Sequence, residues 1–286
     1  MNKQATLALT AAAACIAAAP AFGATSAGAT FGPVQIELID LDASDGITPS
    51  VSFWYVSTVT PMANRLQAEA MQSMPWAYQK TPLHGLTPWS TGSVDAAAGA
   101  AQAHAELTGN GDAAGTLLHA SASASDFSGP LDGAYAYGLS DVLAPIGFGT
   151  GFELSANTRL IVSGEARVEG AGSWTGHGTG WDDHAGASVR LDIKATDGSQ
   201  PSFAELSRSE FASLNGQHTF DFDDTEQLQV SFDNTTGDAV NGELTLVARA
   251  SATTYATLGP VPEPATLALF GGGLVVVAAA RRRRRG

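Results

Sequence analysis

Polar and apolar residues change places at every second position through much of this chain. Val34, Ile36 and Leu38 alternate with Gln35 and Glu37, the spacing of a strand with one face on a core and the other in water. The run GFELSANTRLIVSGEARVEG at 151–170 alternates through two such strands. Val189, Leu191 and Ile193 repeat the pattern in HAGASVRLDIKATDG, and DGAYAYGLSDVLA and ELTLVARASATTYA read the same way. VSFWYVSTVT at 51–60 is β-branched and aromatic on both faces, as a strand buried on each side would be. HTFDFDD and EQLQVSFDN predict a hairpin around an acidic turn, with Phe220 and Phe222 facing Leu228, Val230 and Phe232.

Three segments depart from this texture. PMANRLQAEAMQSM at 61–74 places Pro at a first helical position and Met62, Leu66 and Ala70 four apart, which predicts one short helix. PWAYQKTPLHGLTPW at 75–89 reads as a loop anchored by Trp76, Tyr78 and Trp89. Between Val94 and Phe127 the side chains are mostly Ala, Ser and Gly. Alanine content alone would favour helix there, but Ala120, Ala122 and Ala124 alternate with Ser121, Ser123 and Ser125, and TGNGDAAG is turn chemistry. A hairpin of small-residue strands is the better reading. Many short strands between Gly, Asp and Asn turns predict an all-β body, an antiparallel β-sandwich or jelly roll.

The two ends differ from that body. Residues 1–23 carry one cation, Lys3, then an uncharged run, then Ala21-Phe22-Gly23 after Pro20. This is the layout of a secretory signal peptide cleaved after Gly23, read by the general secretion machinery. Cys15 is no lipidation site, because Ala12 stands where a large aliphatic residue is needed. Cleavage removes the only cysteine, so residues 24–260 form a thiol-free body whose core must hold it without disulfides.

Charge sharpens the division. Lys3 and five terminal arginines are six of the 14 cations, and residues 24–260 keep 8 cations against 27 acids, a net −19. So acidic a body repels nucleic acid and anionic lipid, which excludes nucleic acid as a partner. Behind the body come Val261, Pro262, Glu263 and Pro264, then 16 uncharged residues at 265–280, then Arg281, Arg282, Arg283, Arg284 and Arg285. The apolar run falls just short of the about 17 to 25 residues usual for a spanning helix, a deficit that snorkelling arginine and a thinned bilayer can cover. Arginines kept on the cytoplasmic side leave the body outside. A plain anchor has no need of the rigid Pro-Glu-Pro step.

Those three parts in this order, over residues 261–286, resemble the PEP-CTERM sorting signal. The resemblance implies export by a Gram-negative bacterium, often one that makes exopolysaccharide. It also implies recognition by exosortase, a membrane-embedded cysteine protease or transpeptidase. It makes Val261, Pro262, Glu263 and Pro264 the sorting motif and Arg281 to Arg285 the membrane stop signal. The body is held at the inner membrane on its periplasmic side before processing, and is at the cell surface or outside the cell afterwards.

Chemistry in the body is sparse. No nucleophile elbow, zinc-protease helix, phosphate loop or dinucleotide fingerprint occurs. His177, Asp182, Asp183 and His184 in HGTGWDDH are the best local metal constellation, yet no third histidine is placed beside them. No resident cofactor is required. Calcium is the ion that two acidic turns would suit, one with Asp40, Asp42 and Asp45, the other with Asp221, Asp223, Asp224 and Glu226. The expectation is a non-catalytic surface or extracellular-matrix protein associated with exopolysaccharide. The alternative is a secreted β-sandwich that binds or hydrolyses a glycan, with Trp54, Trp76, Trp89, Trp174 and Trp181 as candidate stacking platforms.

Overall fold

Alternation decides the structure along almost the whole body. In two 16-residue strands every second residue is buried, and the inward set is Leu160, Val162, Ala166 and Val168 in one, Leu244, Leu246, Ala248 and Ala250 in the other. The computed structural model describes residues 24–55, 65–84, 89–125, 127–129, 134–144, 150–174, 182–213 and 215–258. These residues form strands and turns and no helix. In chain order the strands are β1 (Thr25–Phe31), β2 (Gln35–Asp40), β3 (Val51–Tyr55), β4 (Arg65–Gln72), β5 (Ala77–His84), β6 (Ser90–Ala98), β7 (Ala101–Asn110), β8 (Leu117–Ala124) and β9 (Ser128–Gly129). They continue as β10 (Tyr135–Ala144), β11 (Thr150–Leu154), β12 (Thr158–Ser173), β13 (Asp183–Ala195), β14 (Ser202–Ala212), β15 (Thr219–Asn234), β16 (Val240–Tyr255) and β17 (Thr257–Leu258).

Two antiparallel sheets face each other across one apolar core. The first runs β15-β12-β1-β8-β7-β6, and the second β14-β13-β16-β10-β4-β5. Each is organised by one 16-residue strand that serves two shorter partners along a single edge. β12 pairs with β1 through Ala166–Ala171 and with β2 through Thr158–Ser163. β16 pairs with β10 through Leu246–Tyr255 and with β11 through Val240–Gly242. The bend that lets β1 continue into β2 falls at Gly32, whose φ is +122° and where a Cβ would stand 2.5 Å from the Thr116 carbonyl oxygen.

Side-chain size is graded along β1, β4, β7, β8, β13 and β16, whereas the edge strand β15 carries Phe220 and Phe222 at one end and Phe232 at the other. Toward the end where β1 begins and β16 finishes, the core is Ala27, Ala70, Ala103, Ala122, Ala187 and Ala250. Toward the other end it is Leu107, Phe152, Leu160, Leu191, Phe232 and Leu246. At the alanine end the sheets come close enough for side chains of one to bond the backbone of the other. A Cβ on Gly138 of β10 would run into the Gln102 carbonyl oxygen of β7 and stand 3.1 Å from that of Ser123 in β8. The Thr25 and Thr254 hydroxyls lie 2.6 Å apart and reach the carbonyls of Thr253 (3.1 Å) and Ala124 (3.2 Å). The Ser140 hydroxyl donates to the His104 carbonyl, and the Gln72 side-chain oxygen accepts the Ala100 N–H at 2.8 Å. At the far end Phe152 of the second sheet meets Phe232 of the first edge-on, with centroids 5.4 Å apart.

Four expectations need correction. Residues 65–72 are β4, not helix: Leu66, Ala68, Ala70 and Gln72 all face the core. Residues 77–84 are strand β5 at the sheet edge, where Pro82 is tolerated because no further strand among the described residues needs its missing N–H. Residues 219–234 form one continuous strand, so Phe220, Phe222, Leu228, Val230 and Phe232 share one face instead of meeting across a hairpin. Among the described residues β3 pairs only with β11 and leaves Ser52 exposed, so it is not buried on both sides. The expected small-residue hairpin is present as β6, β7 and β8. The signal peptide (1–23), the apolar helix expected at 265–280 and the N-terminal part of the helix expected at 61–74 lie outside the described residues.

Candidate functional site

The two outward faces have different chemistry. On the first sheet, the small outward residues Ser26 and Gly28 of β1 and Ser121 and Ser123 of β8 form the floor of a cavity of about 560 Å³. One wall is His104, whose Nδ1 lies 2.8 Å from Asp95 and whose Nε2 lies 3.5 Å from Glu106. The other wall is Glu169 and Asp223, both held by Arg167. The guanidinium donates two bonds to Asp223, at 2.7 and 2.9 Å, and lies 2.7 Å from Glu169. Those bonds hold the Asp223 carboxyl below the usual carboxylate range. Burial, with the nearby His104, pushes the His119 imidazole down, an effect that Glu106 and Glu169 partly oppose.

The outward face of the second sheet carries aromatic residues. One transverse register row crosses all six strands: Tyr78, Met71, Tyr137, Thr253, His184 and Phe211. Phe211 is 52% exposed, and Trp76, 69% exposed, stacks beside Tyr78 with centroids 6.4 Å apart and planes 23° off parallel. Tyr135 and Tyr255 pair in the adjacent row, 6.0 Å apart. His184 packs on Phe211 at 4.6 Å, and its burial lowers the imidazole pKa. Burial raises the Tyr137 and Tyr255 phenols, so both remain protonated donors at neutral pH.

Charge separates the two faces as well. Outward positions of the first sheet hold two cations, Arg159 and Arg167, against eight acids. Outward positions of the second hold five cations against six acids, Glu153 of β11 included. There every cation is paired: Arg65 and Arg249 with Asp141, Lys80 with Glu69, Arg190 with Asp192, and Lys194 with Glu243. Five of the body's eight cations are therefore used to neutralise one face.

Several candidates from the sequence are dispersed by the fold. Asp183 points inward and accepts the Tyr255 N–H, while its neighbour His184 points out, and His177 lies outside the described residues. Asp40, Asp42 and Asp45 do not converge. They accept the N–H groups of Asp42, Ser44 and Ile47, and Asp45 also accepts Asn157. Asp221 and Asp223 alternate with Asp224 along β15, so they are on opposite faces. Among the described residues no three His, Cys, Asp or Glu side chains come together as a metal ion would require. Of the tryptophans, Trp89 is core at 2% exposure, Trp174 is half-buried beside His218, and Trp76 is on the surface. The Trp54 side chain and Trp181 lie outside what is described. The aromatic row was missed because Tyr78, Tyr137 and Phe211 lie far apart in sequence; only the sheet register aligns them.

Val261 to Pro264 and Arg281 to Arg285 also lie outside the described residues, beyond β17, which ends at Leu258 beside β9. An antiparallel β body followed directly by such a tail defines an exported protein carrying its address at the C-terminus. The family model of the PEP-CTERM protein-sorting motif matches residues 260–285. The chain therefore carries a PEP-CTERM sorting domain, which implies exosortase-dependent sorting to the cell surface. No curated protein and no solved structure matches the chain.

Proposed function

We propose that this is a non-catalytic surface or extracellular-matrix protein, carried out by the general secretion machinery and retained in or near an exopolysaccharide layer after exosortase processing. Before processing, residues 265–280 hold it in the inner membrane with the acidic body in the periplasm. The observation that carries this reading is the sorting motif at 260–285 directly behind a thiol-free body of net charge −19. In this reading the processing enzyme recognises Pro262-Glu263-Pro264 through the single carboxylate of Glu263 between two prolines.

Glu263→Ala separates a recognition motif from a plain anchor, because it leaves hydrophobic length and terminal arginines intact. Intact mass of the protein recovered from the exporting bacterium is the measurement. Native protein should lack Arg281 to Arg285, and the variant should remain uncut in the membrane fraction. Native protein that retains those arginines would refute processing.

A further inference from the structure

We propose that the outward face of the second sheet is a binding platform for an extended, uncharged polysaccharide chain. The inference rests on the reading of this protein as a polysaccharide-layer component and names the surface and the ligand class. Three independent features converge on that ligand. The first is shape: a row from Tyr78 to Phe211 crosses six strands, and five strand spacings give it a length of about 24 Å. That is an extended strip, suited to a chain and not to a single small molecule.

The second feature is the surface it offers. Trp76 and Tyr78 stack with nearly parallel rings at one end of the strip, and Phe211 with His184 lies at the other. Aromatic faces carry negative π density, which attracts the polarised axial C–H groups of a pyranose ring. Between these ends the Tyr137 phenol and the Thr253 hydroxyl lie in the same row, with Tyr135 and Tyr255 alongside. Sugar hydroxyls both donate and accept, as do these groups.

The third feature is charge. The body as a whole repels polyanions, and its other face holds an excess of six acids. This face is close to balanced, with six acids against five cations and each cation held by a carboxylate of the same sheet. A polyanion gains nothing from cations already paired, and a polycation would be drawn to the opposite face. An uncharged chain is the partner that this electrostatic arrangement leaves.

The test uses the full chain in neutral detergent, so that it does not depend on sorting. Affinity electrophoresis through gels containing hydroxyethyl cellulose, mixed-linkage β-glucan or alginate gives the readout, with sedimentation velocity alongside. We expect retardation in at least one neutral gel and none in alginate. The double change Trp76→Ala with Tyr78→Ala should weaken retention by roughly tenfold, the weight of a stacked aromatic pair. Trp76→Phe, which keeps a ring, should preserve most of it, and Asp221→Asn on the opposite face should change nothing. All three sites are exposed, and matching melting temperatures will show that the variants are folded. Absence of retardation in both neutral gels, equal retention by the Trp76/Tyr78 variant, or retention by alginate overturns the proposal. So does a dimer that the aromatic substitutions dissociate, since a second copy would then be the occupant. Loss of binding with intact tail processing removes the platform and leaves the sorting reading standing; binding with failed processing does the reverse.

Discussion

Where β1 begins and β16 finishes, the two sheets face each other through Ala27, Ala122, Ala187 and Ala250; at the far end they meet through Leu160, Phe232, Leu191 and Leu246. The difference shows two ways of joining sheets. Large side chains keep sheets about 10 Å apart and stabilise them by the apolar area they remove from water, about 25 cal/mol per Å². Alanine removes little area, but it allows the backbones to approach. Thr25, Thr254, Ser140 and Gln72 then bond directly across the gap. Those groups are buried, so the bonds also prevent the penalty of an unsatisfied polar atom. One half resists the loss of atoms, and the other resists their addition.

Substitutions should break that symmetry in order of size. Phe152→Ala at the far end should be the most damaging, at about 3–5 kcal/mol, because its ring packs between Phe53 and Phe232 and covers Gly242. Denaturant midpoints give the value, and a change under about 1 kcal/mol would mean that this end collapses freely. Gly138→Ala at the alanine end adds a single methyl and should still destabilise by about 1–3 kcal/mol, since the sheets must part to admit it. A neutral result there would show that the close approach is not rigid.

The smallest effect is outside both halves. Arg159 donates two 2.7 Å bonds to Asp233, and this holds the carboxyl below its ordinary pKa. Because the folded pKa is the lower one, the stabilisation is fully present above the unfolded value near 3.9 and is lost as pH falls through the folded value. Asp233→Asn should lower stability at pH 7 by roughly 0.5–1 kcal/mol, an exposed-pair magnitude that salt reduces. The variant and the parent should melt alike in strong acid. A difference that persists there would point to packing and not charge.

The sequence revealed strands wherever two successive turns of alternation were present, and it failed where one pattern satisfies two periods. Leu66 and Ala70 are four apart, a spacing that fits both a helix face and every second position of a strand. Ala68 between them decides for the strand, but its small side chain gives little signal and its neighbours Gln67 and Glu69 favour helix. At 219–234 the cluster Asp223-Asp224 imitates a turn. In the fold β15 is the edge strand of its sheet, and its carboxylates meet water, Arg167 and Arg208. The sorting motif was legible because its parts are contiguous. The aromatic platform was not, because it exists only once β5, β4, β10, β16, β13 and β14 are in register.

The position of β16 also sets a timetable. It is the last long strand to emerge from the ribosome, yet it lies at the centre of the second sheet, with β13 on one side and β10 on the other. Until residues 240–255 arrive, β13–β14 and β10–β4–β5 are separate pieces, each with an open hydrogen-bonding edge. Pairings this distant in sequence are slow to form. Closure of the second sheet therefore falls at the very end of synthesis and export, a few residues before the sorting signal, and the body becomes whole only when its address is about to be read.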